Sequence, residues 1–193
     1  MTARDQSANG GMGALQRRLE EARLQGNQAY KAGGDAQALK LYSSGINKAL
    51  EAGAADFSGA PADGDEVQQL VATLYANRAA AALRMLRHEQ VVHDTSRAVA
   101  LLVVRGSSDV DKCVDPAACA VYGKALIRRA NVMEALGNFM QAAADYSAGG
   151  DNTGDKAAQR RAFIMYDALN HPVRLPATCL FMQCAAWEGK IYV

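Results

Sequence analysis

Apolar and small residues recur at helical spacing through most of this chain, and glycines punctuate them. From Ala14 to Ala32, the residues Leu15, Leu19, Ala22, Gly26, Ala29 and Tyr30 keep the three-and-four spacing of one helix face. Gly33-Gly34 ends that run, and Asp35 stands where a helix cap belongs. A second run over 36–52 carries Ala38, Leu41, Tyr42, Ile46 and Leu50 on one stripe. The same reading predicts helices over 65–86, 89–105, 116–136 and 139–147. Pro116 fits the first turn of the fifth of these, with Asp115 before it as a cap. The sixth run stops at Gly149-Gly150, and a seventh, over 155–169, aligns Ala158, Ala162, Met165, Tyr166 and Leu169. The turn at Arg87-His88 has no glycine.

The runs pair into three hairpins. The small residue of each first helix falls at Gly26, Ala79 and Ala130. The residue opening each second helix falls at Ala38, Val91 and Ala142. Aligned this way, the repeats cover 19–52, 72–105 and 123–156, with a core period of about 34 residues. The seventh run then closes the stack, because a terminal repeat otherwise exposes an apolar face. Residues 1–12 are polar and Gly-rich and read as a flexible tail. Linkers rich in Gly, Pro and Asp occupy 53–64 and 106–115. Residues 171–193 form a C-terminal extension interrupted by Pro172 and Pro176, in which Cys179–Trp187 is open between a docked short helix and a loose tail.

Composition narrows the chemistry. Of 193 residues, half are apolar and only four are proline, which suits an all-α protein. A net charge of +1 argues against general nucleic-acid binding, which calls for a basic excess. No apolar run reaches the ~20 residues of a membrane span. The N-terminus lacks the apolar core of a secretory signal, so the expected compartment is the cytoplasm. The four cysteines, at 113, 119, 179 and 184, do not have the spacing of a zinc ribbon and read as reduced thiols. His88, His93 and His171 do not cluster for a metal. No phosphate loop, nucleophile elbow or zinc-protease motif is present, so neither catalysis nor a cofactor is expected.

The spacing of Gly26, Tyr30, Gly33, Ala38 and Tyr42, of Ala79, Ala82 and Ala98, and of Ala130, Gly137, Ala142 and Tyr146 resembles the tetratricopeptide-repeat (TPR) family over about three quarters of the chain. The departures are Gly45 and Gly149 where Ala is usual, Thr95 in place of an aromatic, and two longer loops. The resemblance implies a right-handed α-α superhelix of three hairpins plus a capping helix.

Within that family, one subset carries a set of polar residues on the first helices of its hairpins. These are the carboxylate-clamp co-chaperones, which bind the C-terminal Glu-Glu-Val-Asp tail of the seventy- and ninety-kilodalton heat-shock chaperones. This chain reads Arg23-Leu24-Gln25-Gly26-Asn27, then Asn77-Arg78-Ala79-Ala80, then Lys124-Ala125-Leu126-Ile127-Arg128. All five positions are filled, with Arg23 where Lys is usual. By this resemblance Arg23, Asn27 and Asn77 face the terminal main-chain carboxylate, Lys124 the Asp side chain, and Arg128 the peptide upstream. The spacing has its own logic: residues four apart share a helix face, and a terminal Asp offers two carboxylates to charge-assisted donors. The expectation is a non-catalytic adaptor for a chaperone tail. The alternative is a TPR scaffold for an unrelated complex. The oligomeric state, the preferred chaperone and the client pathway stay open.

Overall fold

The computed structural model describes residues 3–53, 66–102 and 116–171, with side chains from Gly13 onward. Seven helices occupy them: α1 (Ala3–Lys31), α2 (Asp35–Glu51), α3 (Glu66–Arg84), α4 (His88–Leu102), α5 (Pro116–Ala135), α6 (Phe139–Thr153) and α7 (Lys156–Asn170). No strand occurs among the described residues. The linkers over 54–65 and 103–115, the Asp115 cap, Cys113, Cys179, Cys184 and the extension beyond His171 lie outside them.

The chain divides into two compact units, one through Tyr122 and one from Gly123. In the first, α1 packs on α2, α2 on α3 and α3 on α4, and α1 also touches α3. Its core is built from Leu19, Tyr42, Ile46, Val71, Leu74 and Val91, with alanines between them. In the second, Ala130, Ala142, Ala143 and Tyr146 pack against Ala158, Ala162 and Met165 of α7. That contact gives α7 the closing role expected of it, while Phe163 and Ile164 face outward.

The same turn recurs four times. The amide of Gly34 bonds to the Ala29 carbonyl at 2.9 Å, that of Arg87 to Ala82 at 3.0 Å, that of Asn138 to Met133 at 2.8 Å, and that of Asp155 to Gly150 at 3.1 Å. This six-to-one bond is the Schellman closure of a helix C-terminus, and it needs a left-handed residue just before the donor. Gly33, Gly137 and Gly154 supply it at φ +82, +76 and +69. In the second hairpin Leu86 does so at φ 56.

Several boundaries differ from the sequence reading. Helix α1 begins at Ala3, inside the expected 1–12 tail, because no proline stops a helix propagating back from Ala14. Asp35 lies in the first turn of α2 and does not cap it. Gly34 holds the N-cap position, and the Asp35 carboxylate accepts from Arg84 Nη1 at 3.1 Å. Leu50 is exposed, and the buried stripe of α2 runs through Ala38, Tyr42, Gly45 and Ala49. On α7 Tyr166 is exposed, so its buried stripe is Ala158, Ala162 and Met165.

Helix α6 continues through Gly149-Gly150 to Thr153. These glycines serve close packing instead of termination. A Cβ at Gly149 would lie 2.9 Å from the Gly123 carbonyl oxygen and 2.7 Å from Ile127 Cγ1. The departure from Ala at this position therefore has a steric reason.

Candidate functional site

In the first unit, α1 and α3 run side by side and bring Asn27 and Asn77 together. Asn77 Nδ2 donates to Asn27 Oδ1 at 3.1 Å, and the Tyr42 hydroxyl donates to the same oxygen at 2.8 Å. Two donors therefore occupy the Asn27 carbonyl oxygen. The amide hydrogens on Asn27 Nδ2 remain as its donor edge, and Asn77 keeps a second N–H. Tyr42 is buried against Gly26, where an added Cβ would meet the ring at 2.3 Å. The missing side chain at Gly26 thus lets Tyr42 reach across to Asn27.

Arg23 stands one turn before Asn27 on α1. Its guanidinium is engaged by Glu20, three residues earlier: Nε donates to Oε2 at 2.9 Å, and Nη2 pairs with Oε1. The pairing with Arg23 holds the Glu20 carboxyl below its ordinary range, and the pairing with Glu20 raises the Arg23 guanidinium. Both residues line a groove of about 520 Å³ with Gln16, Glu66, Thr73 and Val121. Across it, Gln16 Nε2 donates to Glu66 Oε2 at 2.7 Å.

In the second unit, Lys124 is exposed and Arg128 half-buried, one turn apart on α5. Of the five residues singled out in the sequence, the structure brings Asn27 and Asn77 into contact and sets Arg23 beside them on α1, with its fork on Glu20. Lys124 and Arg128 belong to the other unit.

Two further features escape the motif. Arg78 forks onto the fully buried Asp94, with Nε to Oδ2 at 2.8 Å and Nη2 to Oδ1 at 2.7 Å. Arg129 forks onto Asp145 in the same way, at 2.7 and 2.8 Å. In each pair the Asp follows its Arg by sixteen residues, a recurrence the sequence does show. Arg78 Nη1 also donates to Ser43 at 3.0 Å, tying the second hairpin to the first. Each of these two pairs joins the two helices of its own hairpin. The other residue the motif reading missed is Glu20; its only signal is an acid at i−3 from Arg23.

Among the described residues no group of three or more His, Cys, Asp and Glu side chains is placed to hold a metal, and no helix is long and apolar enough to cross a membrane. His93 Nδ1 lies 3.1 Å from Asp94 Oδ1, on the rim of the buried pair.

No family model matches the chain, and no curated protein matches it either. Among solved structures, the chain is similar to the TPR domain of Arabidopsis OM64. The identity is 23%, over 79% of this chain and 98% of that one, with a TM-score of 0.53. It is also similar to the TPR2AB domain of yeast Sti1 in a complex with pHSP90, at 18% identity and a TM-score of 0.49. That match covers 86% of this chain and spans only 51% of the Sti1 structure. The likeness to the OM64 domain and the recurring hairpins establish the fold: an all-α array of helical hairpins of the TPR type.

Proposed function

We propose that the chain is a non-catalytic interaction module that captures the acidic C-terminus of a partner protein, of the Glu-Glu-Val-Asp kind carried by heat-shock chaperones. The observation that carries the reading is the Asn27–Asn77 contact at 3.1 Å. It presents amide donors from adjacent hairpins at one point, beside the guanidinium of Arg23. A chain end brings a carboxylate that no internal peptide group can mimic, and donors held on rigid helices lose little freedom on binding it. The family resemblance assigns Lys124 to the side-chain carboxylate of the terminal Asp and Arg128 to the peptide just upstream.

The test is calorimetric titration of a Glu-Glu-Val-Asp peptide with a free or an amidated C-terminus. The free acid binds with a Kd on the order of micromolar, and binding weakens with salt, because the contacts are largely ionic. The amidated peptide binds at least tenfold more weakly. Lys124→Ala weakens the free acid by roughly tenfold, the scale of one charged hydrogen bond. Equal binding of both peptides, or no loss in Lys124→Ala, points instead to a scaffold for a partner held elsewhere on the chain.

A further inference from the structure

The Arg23 fork is already filled by an acid of the same chain. We infer that Glu20 is a built-in competitor for the incoming carboxylate at the Nε–Nη2 edge of Arg23, so that a ligand's acidic end seeking that edge must exchange with it. The inference rests on the acid-end reading above and goes beyond it, because it assigns a role to a residue outside the five.

The geometry is specific. The guanidinium offers Nε–H and one Nη2–H along a single edge, and Glu20 takes both with its two oxygens. A carboxylate arriving at that edge finds the same bidentate chemistry in use. The pair is open to exchange: the Arg23 and Glu20 side chains keep 29% and 42% of their surface, so neither is locked in a core. A lysine at position 23 would not be held this way, since an ammonium has no fork to fill.

Two consequences follow for recognition. Exchanging one carboxylate for another at Arg23 adds no ion pair, so this position contributes less to affinity than its charge suggests. The net gain on binding then comes from the Asn27 and Asn77 amides. The Glu20 charge, left beside the exchanged carboxylate, also opposes it. Removing that charge strengthens Arg23 without touching a group that the ligand contacts.

A double-mutant cycle on the full chain tests this, with the same free-acid peptide titrated into wild type, Glu20→Gln, Arg23→Ala and the double variant. Glu20→Gln keeps the side-chain size at a half-buried helix position. Its Kd falls by about five-fold, the upper scale of an exposed ion pair. Arg23→Ala alone weakens binding by about two-fold, whereas the same change in the Glu20→Gln background weakens it by about ten-fold. Glu21→Gln is the control. That residue is exposed and accepts from Gln25 instead of Arg23, so its removal changes net charge but not the fork.

If wild type binds and Glu20→Gln binds no tighter, the competitor role is overturned and the acid-end reading stands. If Glu21→Gln tightens binding as much as Glu20→Gln, the effect is net charge and the competitor role is again overturned. Binding by Glu20→Gln where wild type shows none supports it in its strongest form. Failure of every variant to bind overturns both readings together.

Discussion

The Tyr42 hydroxyl donates to the Asn27 amide oxygen at 2.8 Å, and Tyr146 makes the same bond to Asn131 at 2.6 Å one hundred and four residues later. The bond joins the two helices of a hairpin where the aromatic fills the space over a small residue, Gly26 or Ala130. In the first hairpin it also orients the Asn27 side chain toward Asn77. Tyr42→Phe removes the hydroxyl and little volume. The expected cost is about 1 kcal/mol of stability, read as a fall in Tm. A weaker grip on a free-acid peptide accompanies it, since Asn27 loses the donor that fixes its orientation. Unchanged stability and unchanged binding would show that the bond positions nothing.

Breaking the buried Arg78–Asp94 fork is costlier. Asp94 is fully buried, and losing its carboxylate strands the Arg78 guanidinium. Asp94→Ala should destabilise by about 3–5 kcal/mol. Replacing both partners by apolar residues of similar size should cost much less, because no charge is then left unpaired. Urea unfolding of the two variants separates these outcomes. Equal losses would mean that the pair is held by packing alone.

Leu86 occupies the left-handed position that glycine holds in the other three turns, and the residue is 76% exposed. Leu86→Gly relieves the backbone and gives up almost no buried surface. The αL penalty of about 1–2 kcal/mol exceeds the extra chain entropy of glycine at about 0.5–1 kcal/mol. A gain of about 0.5–1 kcal/mol is expected, seen as a rise in Tm. A fall would show that Leu86 packs in a way its exposure does not suggest.

Gly149 meets backbone on the facing helix: the Gly123 oxygen and the Ile127 nitrogen would lie 2.9 and 3.2 Å from an added Cβ. Main chain yields less readily than a side chain, so Gly149→Ala should cost about 3 kcal/mol. Gly13, with open space around it, is the comparison: Gly13→Ala should stabilise α1 by up to about 1 kcal/mol. Hydrogen exchange of α6 and α1 amides reads each effect locally. A neutral Gly149→Ala would mean that α5 and α6 can move apart at little cost.

Much of the architecture was readable in the residues. Gly33 and Gly137 mark turns because only glycine sits easily at φ near +80°, and Gly26 with Tyr42, or Ala130 with Tyr146, marks a hairpin by size alone. The turn at Leu86 gave no such signal, since leucine seldom adopts that conformation. Gly149-Gly150 misled, because glycine both ends helices and lets them touch, and a single sequence does not separate the two uses. Nothing in the hydrophobic pattern singles out Asp94 and Asp145, and only the fold places an arginine against each. At the candidate site, the pattern named Asn27 and Asn77, which do meet. It had no place for Glu20, because a motif records the positions that match and passes over the neighbour that neutralises one of them.

In the proposed site, a partner's terminal carboxylate is held at Asn27 and Asn77. The most direct measurement is the side-chain amide shift of these two residues by NMR as a Glu-Glu-Val-Asp peptide is added. Both Nδ2 groups are expected to shift with the free acid, saturate together, and stay in place with the amidated peptide. Saturable binding that leaves both amides unmoved, or that moves them equally for the two peptides, would contradict it.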